Sequence, residues 1–182
     1  MLILFSFSAL IAFILIRALS LENISKIERS ITVDCRPGEV FSYIQFLKNH
    51  RLFNKWTMTD HAVDITYQGE DGTAGFSSHW QSQIKNVGEG YQTITTILPD
   101  QRIDYDLRFV KPFAGVAKAY LKTQEITSGT KVSTLVTWGF TSERNFMAKL
   151  MQAVLNLEKM LGKDLEISLK TLKNNLEKKH DA

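Results

Sequence analysis

Three kinds of side chain in this sequence could do chemistry: its histidines, one pair of aspartates and its single cysteine. His50, His61, His79 and His180 could ligate a metal, but none stands in an i, i+4 pair with another. None has a Cys or carboxylate at ligand spacing either, so they read as surface residues and no metal is expected. Asp104 and Asp106 are close enough for general acid–base work. Arg102 and Arg108 share their alternating face, however, and a cross-strand charge ladder accounts for all four. Glu89, between Gly88 and Gly90, reads as a solvated carboxylate on a bulge or turn. Cys35 would need a base beside it to act as a nucleophile, and no His lies near it in sequence, so it reads as a small structural residue. G-x-G-x-x-G, P-loop and G-x-S-x-G patterns are absent, and Gly88-Glu89-Gly90 alone is too little to cradle a phosphate. No cofactor is implied.

The elements that must position any site follow from periodicity. Residues 27–34 alternate, with Ile27, Arg29, Ile31 and Val33 on one face, which predicts a half-buried strand. Pro37 suits the first turn of a helix. Val40, Phe41, Ile44 and Leu47 recur behind it at helical spacing, and a second short helical piece holds Leu52, Phe53 and Trp56. From His61 to Phe140 the period is two, predicting strands over 62–68, 75–84, 88–98, 102–110, 115–126 and 131–140. Gly69-Glu70-Asp71-Gly72, Pro99-Asp100 and Ser128-Gly129 supply turns between them. In 102–110, Ile103, Tyr105, Leu107 and Phe109 face one way and the four charged residues the other. That is an antiparallel sheet with one wet face, and His79 falls on the wet side. Beyond Asn145, apolar residues from Met147 to Leu176 step by three or four, predicting one amphipathic helix of about thirty residues. Gly162 sits inside it at a cost of up to about 1 kcal/mol. The apolar sheet face and the helix stripe must cover each other, which makes the fold α+β.

Ahead of this domain, Met1 to Ile16 carries no charge, and apolar character continues past Arg17 to Leu21. As a helix, 1–21 would be about 31 Å long, one hydrocarbon core. A secretory signal peptide would want a positive n-region, which is missing, although Ala18-Leu19-Ser20 could serve for cleavage. A core helix would carry a polar stripe, and only Ser6 and Ser8 are polar. The expectation is therefore a single-pass transmembrane anchor over 1–21, a tether over 22–26 and a domain over 27–178. Arg17, Lys26 and Arg29 place that domain on the cytoplasmic side by the positive-inside rule. About 160 residues make one domain with room for a core. A net charge of +3, with no basic stripe interleaved with aromatics, argues against nucleic-acid binding. The lone cysteine excludes an internal disulfide.

The order strand, two short helices, six strands, long C-terminal helix resembles the helix-grip fold of the START/Bet v 1-like (SRPBCC) superfamily. Within it the chain is similar to the polyketide cyclase/dehydrase and lipid-transport family, of membrane-anchored bacterial type. Ile27-Glu28-Arg29-Ser30 leading into Pro37-Gly38-Glu39-Val40-Phe41 resembles that family's opening strand and P-x-x-V-F helix start. Residues 47–56 (LKNHRLFNKW) resemble its W-x-x-W-S-P-W segment, with His50 and Phe53 at aromatic positions and Lys55 where proline is usual. Phe109-Val110-Lys111-Pro112-Phe113 matches an F-x-K-P-F turn. Phe146 to Met151 and Met160 to Leu165 resemble the final helix.

The resemblance implies a sheet wrapped around the long helix, with space between them for a hydrophobic cavity. Alternation then points Phe76, Ser78, Trp80, Ile94, Tyr105 and Leu107 inward, followed by Phe109, Leu121, Thr134, Val136 and Trp138. The helix adds Met147, Met151, Val154 and Leu161. Ala117 and Ala119 are small inward residues that would leave volume. The same aromatics and methionines would serve equally as core packing. The leading expectation is binding of a hydrophobic small molecule, lipid- or isoprenoid-like, beside a membrane and without catalysis. One alternative is an enzyme of the cyclase/dehydrase type using Ser78, Thr134 or Tyr105. Another is a protein-interaction module with a closed cavity, since fold alone does not choose among them.

Overall fold

The computed structural model describes residues 2–178, with side chains from residue 11 onward, so His180 lies outside it. The first strand, β1 (Ile24–Val33), begins three residues before its expected start. Six more follow in the predicted places: β2 (Asp64–Gln68), β3 (Ser77–Gln81), β4 (Glu89–Leu98), β5 (Arg102–Lys111), β6 (Gly115–Ser128) and β7 (Lys131–Glu143). They form one antiparallel sheet in the order β1-β7-β6-β5-β4-β3-β2. Each of the last six strands pairs with its neighbour in sequence, because the turns between them are short enough for hairpins. Gly129, at a φ of 61° in the β6–β7 turn, takes a conformation that other residues resist.

Two helical pieces and a 3₁₀ turn connect β1 to β2. Helix α2 (Pro37–Ile44) starts on its proline and buries Val40, Phe41 and Ile44. The 3₁₀ turn Leu47–Leu52 then buries Leu47 and His50, and α3 (Lys55–Thr59) is capped by the Asn54 side chain, which accepts from the Trp56 N–H at 3.0 Å. At the C-terminus, α5 (Leu157–Glu177) lays Leu165, Leu169, Leu172 and Leu176 into one core with Ile27, Val33, Val136 and Trp138. This is the expected helix-grip arrangement.

Two expectations are corrected. The long C-terminal helix is two helices, α4 (Phe146–Leu155) and α5, broken at Asn156. Asn156 sits at φ 48°, ψ 55°, a left-handed conformation that asparagine tolerates better than most residues. Its N–H donates to the Gln152 carbonyl at 3.2 Å, and its side chain accepts from the Lys159 N–H at 3.4 Å, so one residue ends α4 and starts α5. The break takes α4 off the sheet and sets it against α1 (Leu2–Ser20).

The second correction concerns the N-terminus. The apolar segment is helical as α1, with Ala18 fully buried, but among the described residues no helix is long and apolar enough to cross a membrane. The spanning anchor over 1–21 therefore has no support in the structure, nor do the single-pass placement, the membrane contact and the cytoplasmic side that depended on it. The segment packs on α4, and Phe13, Ile16 and Leu19 remain exposed, as do Phe146 and Leu155 of α4.

Candidate functional site

Between the inner face of the sheet, the 3₁₀ turn, α3 and the start of α5 lies a cavity of about 240 Å³. Register explains its wall. Cross-strand pairing sets Ile94, Tyr105, Ala119 and Phe140 in one row. The next row is Tyr67, Ser78, Gln92 and Leu107, and the third is Ile65, Trp80, Gly90 and Phe109. Space comes from the small members. Gly90 has no side chain, and a Cβ there would lie 2.6 Å from the Trp80 ring and from the Arg108 carbonyl oxygen. The indole lies over that gap, edge-on to Phe109 at 6.0 Å between centroids, and its Nε1–H donates to the Val87 carbonyl at 3.2 Å. Ala119 leaves further room between Tyr105 and Phe140.

The structure brings together only part of the predicted set. Ser78, Trp80, Leu107, Phe109 and Trp138 line the cavity, as do Ala119 and Leu161. Phe76, Ile94, Tyr105, Leu121 and Val136 are in the packed core outside that lining. Thr134 is also fully buried there, and its hydroxyl donates to the Cys35 carbonyl at 2.8 Å. Ala117 is buried beside Leu107 and does not reach the cavity. Met147 and Val154 are exposed, at 63% and 61%, and Met151 is half-buried, because the break at Asn156 carries α4 away from the sheet. Leu161 and Leu165 of α5 take the place α4 was expected to fill.

Several lining residues were not anticipated. His50, Arg51, Asn54, Trp56 and Thr57 come from the connection between α2 and β2. Tyr67 and Gln92 come from the strands, and Lys111, Pro112 and Phe113 from the β5–β6 turn. The strand pair could have been found, since both alternate in phase with Ser78 once register is known. The β5–β6 turn could not, because nothing in its local pattern says which end of the sheet the mouth occupies.

His50 is a correction to the reading of all histidines as surface residues. It is 4% exposed, with its ring 5.0 Å from Phe53, 5.5 Å from Tyr105 and 6.1 Å from Trp138. Its Nε2 lies 3.4 Å from both the Ile44 carbonyl oxygen and the Tyr105 hydroxyl. A carbonyl only accepts, so the proton belongs on Nε2, which leaves Nδ1 a buried acceptor without a partner. Burial lowers the His50 pKa to about 4, so the imidazole is neutral at physiological pH. Burial likewise pushes the Tyr105 phenol far above its usual value. His79 lies where expected, on the outer face, stacked on Tyr91 at 4.3 Å.

The other chemical candidates are structural. Asp104 is paired with Arg102 at 2.7 Å on the outer face. Glu89 sits at a bulge and is held at 2.7 Å by Lys111 and at 3.4 Å by His79, which lowers its pKa. Cys35 is buried, and burial raises its thiol pKa. No group of three metal-ligating side chains occurs among the described residues. No carboxylate lines the cavity, again among those residues.

Comparison with known proteins agrees with this architecture. The fold is shared with the Aha1 dimer from Colwellia psychrerythraea at a TM-score of 0.57 and 12% identity, over 84% of this chain and 96% of that one. Protein MLL2253 from Mesorhizobium loti aligns at a TM-score of 0.60 and 9% identity, over 85% and 98%. CV1439 from Chromobacterium violaceum aligns at 0.54 and 14% identity, over 86% and 99%. At these identities the likeness is one of fold. No curated protein matches the chain by sequence. The model of the polyketide cyclase / dehydrase and lipid transport family matches residues 25–177, from the second residue of β1 to the end of α5. The chain belongs to that family.

Proposed function

We propose that this protein binds a hydrophobic small molecule, lipid- or isoprenoid-like, in the cavity between the sheet and α5, and does not transform it. The observation that carries the reading is the wall itself. All three tryptophans of the chain, Trp56, Trp80 and Trp138, line one space together with Leu107, Phe109 and Phe140. An apolar, concave space with a few polar groups is what a small-molecule site requires. Of the three hydroxyls on which a catalytic reading would rest, Thr134 is spent on a backbone carbonyl and Tyr105 lies outside the lining, which leaves Ser78 in the wall with no carboxylate among the described lining residues to activate it.

Size bounds the ligand. A cavity of ~150 Å³ takes up benzene, so 240 Å³ holds roughly ten non-hydrogen atoms, with longer chains protruding from the mouth. Titration calorimetry with straight-chain alcohols of about six to about fourteen carbons tests this. Each buried methylene is worth about 0.8 kcal/mol, so affinity is expected to rise up to about fourfold per carbon and to flatten near ten. Ala119→Met fills the cavity from β6, between Tyr105 and Phe140, and should move the plateau to shorter chains, with folding checked by its melting curve. Absence of binding across the series would contradict the reading. So would affinity that climbs with length and never levels, which is adsorption to a surface.

A further inference from the structure

The cavity is apolar on most sides, but the row Tyr67, Ser78, Gln92 crosses it as three hydrogen-bonding side chains on three adjacent strands. Neighbouring strands are about 4.8 Å apart, so these groups form a polar line along one wall. At its β2 end, Arg51 of the 3₁₀ turn also lines the cavity. The Tyr67 hydroxyl is buried, and the charged side chain that reaches it is Arg51. Burial pushes its pKa up, and the Arg51 charge beside it acts the other way.

The charges around this end are unbalanced. No carboxylate lines the cavity among the described residues. Asp71 is the carboxylate whose field reaches both Tyr67 and His50, and it lies outside the lining. It accepts from the backbone N–H groups of Leu47 at 2.8 Å, Lys48 at 3.2 Å and Gly72 at 2.9 Å. Lys48 adds a second cation, 5.6 Å from the Tyr67 ring centroid. The other lining cation, Lys111, is already paired with Glu89 at 2.7 Å. Arg51 is exposed, so a charged group held there keeps contact with water and avoids the cost of full burial.

We infer that the ligand is an acid: a small amphiphile whose anionic head sits between Arg51 and Tyr67 and whose hydrocarbon part runs inward against Leu107, Phe109 and Trp138. This rests on the proposed binding function and specifies its ligand. A guanidinium offers paired N–H donors to a carboxylate, and a phenol adds a third. Ser78 and Gln92 lie next along the row for an oxygen further down the ligand.

Titration calorimetry of the full chain with decanoate, 1-decanol and methyl decanoate at about pH 7 tests the inference, since a carboxylate is ionised there. Decanoate is expected to bind about tenfold more tightly than the alcohol or the ester, with an affinity that weakens as salt is added. Arg51→Gln, on an exposed residue that should not disturb folding, is expected to lower decanoate affinity about tenfold and so remove that preference. Tyr67→Phe should reduce it severalfold. Equal binding of all three compounds would overturn the inference while leaving a hydrophobic cavity standing, as would a preference that survives Arg51→Gln. Binding of none of them would overturn both.

Discussion

His50 shows how a single side chain can be read wrongly from composition and rightly from context. Its type suggests a surface or ligand role, but its position between Leu47 and Phe53, where the resembling family places aromatics, anticipates a ring packed among rings. Burial holds it neutral, and this has a consequence for stability. The folded pKa of about 4 lies below the ordinary value of 6.5. Its contribution is therefore fully present above about pH 6.5 and is lost as pH falls towards about 4, where the unfolded chain takes up the proton first. The expected loss is up to about 3 kcal/mol across that window. Urea unfolding of the parent and of His50→Phe at both ends of the range measures it. The variant should lose less stability on acidification than the parent, and identical losses would show that His50 is not buried as a neutral group.

At the scale of elements, the sheet was legible and the helices only in part. Strand alternation runs in register with a physical constraint, one face buried and one wet, so period two located every strand from β2 to β7. Helical periodicity continues through Asn156 because α4 and α5 both carry apolar stripes, and a single left-handed residue leaves no mark on that pattern. Five of the predicted lining residues follow from alternation, since inward strand positions are core or cavity wall alike. Which of the two they are depends on volumes several strands away, and these lie beyond local sequence. Gly90 is such a case. Gly90→Ala places a methyl group against the Arg108 carbonyl and the Trp80 ring, and should cost about 1–3 kcal/mol by overpacking. Chemical denaturation together with near-ultraviolet circular dichroism reads both effects. An unchanged midpoint with an unchanged aromatic spectrum would mean that Trp80 does not rest on this glycine.

At the scale of the whole molecule, α5 closes the sheet while α4 turns aside to α1, so the C-terminal helix divides its work between core and periphery. The N-terminal segment, the most apolar stretch of the sequence, packs beside α4, away from the cavity lining. The function proposed here therefore rests on the family domain at residues 25–177. Its central claim is that one apolar molecule enters the cavity, and the tryptophans report on it directly because all three line that space. The decisive measurement is quenching of intrinsic fluorescence by a bromine-bearing ten-carbon alcohol, which quenches only indoles it touches. The account predicts deep quenching that saturates at one molecule per chain and is reversed by unbrominated decanol. Shallow quenching that rises linearly without saturation, or none, would contradict it.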